Sequence, residues 1–133
     1  MSSVEAGAPG GGTARRELVV TFTREQIAAY AEASGDRNPI HLDDEAARAA
    51  GLPGVIAHGM LQMGLLARVA GDPARLRRLS CRFAEVVAPG DTVTFRGEET
   101  NGRVELTAVN QDGRAVITRG RAELAPSGLD GRS

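Results

Sequence analysis

Gly59-Met60-Leu61-Gln62-Met63-Gly64-Leu65-Leu66-Ala67-Arg68-Val69 places apolar side chains around most of the circumference of a helix. A helix of that kind is stable only where other elements cover it. Gln62, Gly64 and Arg68 interrupt the apolar run, which is far shorter than the ~18 residues a membrane span requires, so the cover is expected to be protein. Gly71-Asp72-Pro73 breaks the helix, and the chain from Arg77 to Leu124 reads as β: Leu79 to Phe83, Asp91 to Glu98, Arg103 to Asn110 and Ala115 to Leu124. Pro89-Gly90-Asp91, Asn101-Gly102 and Asp112-Gly113 join these segments, the last two being strong hairpin signals. Upstream, Glu17 to Phe22 is β-rich and Thr23-Arg24-Glu25-Gln26 reads as an N-cap with a reciprocal glutamine. The helix it opens carries Ile27, Tyr30 and Ala31 and should stop at Ser34-Gly35. Asp36 to His41 then forms a loop. Asp43-Asp44-Glu45 begins a short alanine-rich helix ending at Gly51, followed by a turn at Leu52-Pro53-Gly54.

An apolar helix preceded by a strand and followed by an antiparallel meander is most simply accommodated by curling the sheet around the helix. The expected class is therefore α+β, a hot-dog fold in which an antiparallel sheet wraps one long apolar helix. A single copy leaves an edge strand and much of a sheet face open, so a dimer is expected, with a second copy or a homologous chain. The length of 133 residues suits one domain. We expect it over 14–125, between a disordered N-terminal tail at 1–13 and a flexible C-terminal tail at 126–133. Met1 to Thr13 has neither the basic nor the apolar region of a secretory signal. Sixteen basic against 17 acidic side chains leave a formal charge of −1, and aromatics are 3% with no tryptophan. No footprint for nucleic acid or a membrane surface follows. Cys81 is the single cysteine, which excludes an intramolecular disulfide and fits a reducing cytoplasm.

Two short runs carry chemistry. Ser34-Gly35-Asp36-Arg37-Asn38-Pro39-Ile40-His41 sets a carboxylate and an imidazole across a proline turn, and Ala57-His58-Gly59-Met60 opens the apolar helix. Asp36 and His41 can each hold or release a proton, and a turn fixed by Pro39 can aim both at one water. Gly59 adds a free N–H at the positive end of a helix dipole, with no side chain to keep a substrate oxygen away. Together they suggest acid-base chemistry beside an anion-stabilising helix end. Each residue also has a plainer reading. Asp-x-Asn-Pro is a common turn, His41 suits a surface loop, and His58 suits packing or capping at the helix start. Met60, Met63 and Leu65 belong to the core, with one edge able to line an acyl tunnel. Arg75, Arg77 and Arg78 read as a solvated cluster, or else a contact for a carrier protein's acidic helix or the phosphates of coenzyme A. Cys81, within a strand, is expected to be inert. Asp36, His41, Asp43 and Asp44 lack a chelating His-x-x-x-His spacing or a cysteine partner, so no metal is expected.

Ala33-Ser34-Gly35-Asp36-Arg37-Asn38-Pro39-Ile40-His41 taken with Ile56-Ala57-His58-Gly59-Met60-Leu61 resembles the MaoC-like, (R)-specific enoyl-thioester hydratase or dehydratase family. The resemblance runs from about Val19 to Leu124 and includes the Arg82-Phe83 strand before Pro89-Gly90-Asp91. Within the family the chain is most similar to the catalytic subunit of actinobacterial (3R)-hydroxyacyl-carrier-protein dehydratases, which pair with a non-catalytic hot-dog chain. The resemblance implies that Asp36 and His41 form a dyad holding one water, that Asn38 supports their loop with Pro39, and that the Gly59 N–H donates to the thioester carbonyl. One departure is Ala67, where some single-subunit hydratases carry a serine. The implied activity is a hydro-lyase interconverting (3R)-3-hydroxyacyl and trans-2-enoyl thioesters in fatty-acid metabolism, without metal or redox cofactor. Coenzyme A and acyl carrier protein both remain as acyl carrier, and homodimer and heterodimer as assembly. Two competing readings are an acyl thioesterase on the same fold and a non-catalytic partner or ligand-binding subunit. The Asp36/His41 pair argues against both.

Overall fold

The computed structural model describes residues 2–6 and 13–126. Six strands, β1 (Ser2–Ala6), β2 (Thr13–Thr21), β3 (Leu76–Phe83), β4 (Thr92–Thr100), β5 (Arg103–Val109) and β6 (Ala115–Leu124), form one sheet in the order β1-β2-β4-β5-β6-β3. Every neighbouring pair is antiparallel. Three helices, α1 (Arg24–Ser34), α2 (Asp44–Ala49) and α3 (Gly59–Arg68), lie between β2 and β3. α3 packs on β3, β4 and β5, which is the hot-dog arrangement expected. No helix among the described residues is long and apolar enough to cross a membrane.

The N-terminal expectation needs correction. Of the tail expected over 1–13 the structure describes Ser2–Ala6 and Thr13: the backbone of Ser2–Ala6 pairs with Arg16 to Val20, and β2 starts at Thr13. The outer edge of β2 offers a row of unpaired backbone groups, and a short extended segment satisfies them. The C-terminal tail expected over 126–133 lies, beyond Pro126, outside the described residues.

Local signals explain the helix ends. Thr23 accepts the Gln26 N–H at 3.0 Å, and Gly35, at φ +81°, lets the chain leave α1 in the left-handed conformation. The reciprocal half of the cap is not made: Gln26 Oε1 is buried without a partner. The Asn101-Gly102 hairpin has both residues at positive φ, 54° and 82°, as a two-residue turn between twisted strands demands.

Alternate residues of the central strands fill the core. Leu18, Val20, Val93, Phe95, Val104 and Leu106 are all buried, as is Leu66 of α3. α3 is covered on one side only: Gln62 and Leu66 are buried, its other apolar residues are half-buried, and Met60 is 65% exposed. Helix and sheet approach closely at Gly97 in β4, where a Cβ would run into the Val69 carbonyl. Arg75 is not part of a solvated cluster. It donates to the Ala125 carbonyl at 2.8 Å and pairs with the largely buried Glu99 at 3.7 Å. Arg77 and Arg78 are exposed and have no ion-pair partner among the described residues.

Candidate active site

Short-range hydrogen bonds shape the loop that carries the first motif. Ser34 Oγ accepts the Asp36 N–H at 3.1 Å, Asp36 Oδ1 accepts the Asn38 N–H at 3.3 Å, and Asn38 Oδ1 accepts the Ile40 N–H at 3.2 Å. Asn38 thereby caps a 3-10 turn over Pro39–His41, and Pro39 stands at its start, where a missing N–H costs nothing. The turn swings His41 inward to 8% exposure while Asp36 stays at the surface. Ile56 N–H then donates to the Ile40 carbonyl at 3.2 Å, tying this loop to the segment that enters α3.

His41 Nδ1 lies 2.8 Å from the Ile56 carbonyl oxygen. A carbonyl can only accept, so Nδ1 carries the proton and the Nε2 lone pair of the neutral ring is left free. His58, at 1% exposure, stacks on His41 with ring centroids 3.7 Å apart and planes 21° from parallel. The edge of Tyr30 meets its ring at 4.8 Å. The same argument assigns the His58 proton to Nε2, which lies 3.0 Å from the Asp36 carbonyl oxygen. His58 stands at the N-cap of α3 but makes no side-chain capping bond. Of the two structural roles expected for it, packing is present and capping is not.

One acid, imidazole or carboxylate atom from each of Asp36, His41 and His58 lies within 4.8 Å of the other two. This differs from the set considered in the sequence. Asp43 is spent capping α2, accepting the Glu45 N–H at 3.0 Å, and Asp44 accepts the Val55 N–H at 2.9 Å and pairs with Arg24 at 2.7 Å. Chelation by two histidines needs in-plane lone pairs that converge on one point about 2.0–2.1 Å away. Near-parallel stacked rings aim theirs side by side rather than at one point.

Gly59 is the first residue of α3, so its N–H is among the first-turn donors that no helix carbonyl reaches. Beside it opens a cleft of about 270 Å³ whose walls include Ile56, Gly59, Gln62, Phe83, Glu85 and Val86. Phe83 and Val86 are 45% and 43% exposed, an apolar wall presented to the cleft mouth. Gln62, 4% exposed, has Oε1 buried without a partner. The sequence reading passed over Gln62, Phe83 and Val86 as site residues. A glutamine inside an otherwise apolar helix was the available signal for the first, while the other two depend on how β3 leaves the sheet. Cys81, half-buried, has its thiol pushed up by burial, which keeps it protonated and unreactive at neutral pH.

Asp44 braces this region. The Val55 N–H first, and the Arg24 guanidinium second, hold its carboxyl below the ordinary value of 3.8. A group whose folded pKa is depressed contributes its full stability above the unfolded value and loses it as pH falls through the folded one. Asp44→Asn is therefore expected to melt below the native protein by a constant margin down to about pH 5, with the margin closing below about pH 4. Melting temperature against pH for both proteins checks this, and a margin that persists in acid would refute it.

The family model described as MaoC like domain matches residues 5–119. The chain is 31% identical over 112 residues to a probable enoyl-CoA hydratase 2 of Dictyostelium discoideum, covering 78% of this chain and 38% of that protein. The chain thus spans well under half the length of that relative. Among solved structures, an (R)-hydratase from A. caviae involved in PHA biosynthesis superposes with a TM-score of 0.74 at 27% identity, covering 91% of this chain and 96% of that one. The ChsH1–ChsH2 complex from Mycobacterium tuberculosis gives 0.72 at 28% identity, over 82% and 91% of the two chains.

Proposed function

The chain belongs to the MaoC-like domain family, and from that premise we propose that it is a hydro-lyase interconverting (3R)-3-hydroxyacyl and trans-2-enoyl thioesters, with Asp36 and His41 as its acid-base pair. The observation that carries this reading is the tautomer of His41, with Nδ1–H held by the Ile56 carbonyl and Nε2 left to accept, in an imidazole that has a ring nitrogen within 4.8 Å of the Asp36 carboxylate. A separation of up to 4.8 Å suits one water bridging the two groups, since each contact to that water spans about 2.8 Å. Hydration across C2=C3 needs a base for this water, an acid for C2, and a donor for the oxyanion that develops on the thioester. The Gly59 N–H supplies the donor, and the adjoining apolar cleft takes substrate carbon. Asn38 and Pro39 hold the loop that aims the pair. A named hydratase 2 relative and an (R)-hydratase of matching fold support the reaction class.

The partner follows from what one copy leaves open. β3 is an unpaired sheet edge, and the outer side of α3 is half-bare, so a second hot-dog chain, identical or homologous, covers both. The ChsH1–ChsH2 complex supports a two-chain assembly of this fold.

The test is the absorbance of the enoyl-thioester band when the protein meets crotonyl-coenzyme A, with the product's configuration read on a chiral column. Loss of the band with (3R) product is expected. Release of free thiol without loss of the double bond would replace the proposal by a thioesterase. Gly59→Ala adds a second expected result. A Cβ there would lie 3.2 Å from two Phe83 ring atoms, so the methyl crowds both the cleft and the oxygen bound at the N–H. Removing a single oxyanion donor costs about 10²–10³-fold; since alanine keeps the N–H, we expect a smaller fall in kcat/KM, about tenfold. A KM and kcat both within twofold of native would contradict that placement of the carbonyl.

A further inference from the structure

We propose that His58 is a positioning residue for the Asp36/His41 pair, holding the Asp36 backbone through Nε2–H while its ring backs the His41 imidazole. The proposal deepens the hydratase reading above and rests on it. Three observations combine. The ring touches both members of the pair by different means: it stacks on His41 at 3.7 Å and donates to the Asp36 carbonyl at 3.0 Å. It comes from another element, the N-cap of α3, so it links the dyad loop to the helix end that supplies the Gly59 N–H. Its burial is also costly. His58 is 1% exposed and its Nδ1 is buried without a hydrogen-bond partner.

A buried polar atom left without a hydrogen-bond partner carries a desolvation penalty. A phenyl ring would fill the same space without that penalty, so packing alone does not call for an imidazole here. What the imidazole adds is one donor directed at the residue whose side chain is the exposed member of the pair. The Ile56 N–H bond to the Ile40 carbonyl anchors the His41 end of the loop, whereas Asp36 at the other end is held otherwise by short contacts with Ser34 and Asn38, which leave that end free to shift. The His58 bond, spanning 22 residues of sequence, ties its backbone to the rigid part of the fold. Its effect should fall on turnover, because a misplacement near 1 Å can cost 10²-fold in rate while leaving substrate binding in place.

Two variants separate this role from packing. His58→Phe keeps an aromatic ring against His41 and removes the donor. His58→Gln places an amide N–H near the position of Nε2. In wild-type protein and both variants, kcat and KM on crotonyl-coenzyme A would be measured beside melting temperature and the backbone 15N order parameters of Asp36 to Asn38. For His58→Phe we expect kcat to fall about 10- to 100-fold with KM within twofold, and the order parameters to drop from about 0.85 toward 0.6. His58→Gln should restore the order parameters and recover most of kcat. Unchanged kcat and order in His58→Phe, or equal losses in both variants that track melting temperature, would overturn the proposal. Should the wild type hydrate no thioester, the hydratase reading fails, and the order parameters alone still decide whether His58 holds the loop.

Discussion

Asp36→Asn and His41→Ala should each lower turnover on an enoyl thioester by about 10²–10⁴-fold, the range that a positioned proton transfer contributes. The two losses should differ in what accompanies them. Asp36 is exposed, and among the described residues its carboxylate bonds only the nearby Asn38 N–H at 3.3 Å. Asparagine keeps an oxygen for that bond, so the variant should fold and melt like the native protein and bind substrate with KM little changed. His41 is 8% exposed, donates to Ile56 and stacks on His58. Its removal leaves a carbonyl unpaired and a cavity beside the second ring, and should also cost about 2–3 kcal/mol of stability. Because both groups act on one water, the double variant should lose scarcely more than the worse single one. Rates of enoyl hydration with urea denaturation on the same preparations check all four statements. A loss under tenfold in both single variants, with folding intact, would remove the pair from the chemistry.

Gly97→Ala should be a severely damaging single methyl. Gly97 lies on the core face of β4, and a Cβ there would overlap the Val69 carbonyl oxygen and carbon where α3 ends, with Leu106 Cδ2 at 3.1 Å on the other side. Two of those three neighbours are backbone, which cannot rotate away, so helix and sheet would have to separate. We expect a loss of about 3 kcal/mol or more by urea denaturation, at or above the usual cost of overpacking. Gly113→Ala is the matched control. It sits in the turn between β5 and β6, nothing lies within 4 Å of its Cβ and its φ is +78°, so the strain of a left-handed alanine, about 1 kcal/mol, is its whole cost. Equal melting of the two variants would refute the close approach.

The elements that could be read from the residues alone are those whose signals are local. The Thr23 cap, the Gly35 stop, the Asn101-Gly102 turn and the alternation of β4, β5 and β6 depend on neighbours a few residues away, and each appears where its chemistry places it. The same holds for the loop from Asp36 to His41, whose Asx contacts and proline turn are internal to it. The strand at Ser2–Ala6 is of the opposite kind: whether a short polar segment becomes a strand depends on an open edge elsewhere, and β2 provides one.

The apolar helix, the caps of α1, the meander and the paired motifs were therefore legible in one dimension, because period, turn chemistry and sequence spacing suffice to state them. Tertiary structure alone decided what surrounds the reactive groups. That Ile56 sets the His41 tautomer, that His58 lies against it and reaches back to Asp36, and that Phe83 walls the cleft beside Gly59 are contacts between residues 15 to 24 positions apart. No local propensity encodes such contacts. They arise when the sheet packs on α3, bringing the start of that helix, the loop from Asp36 to His41 and the end of β3 to one place, and the carbonyl each imidazole meets then determines which nitrogen carries its proton.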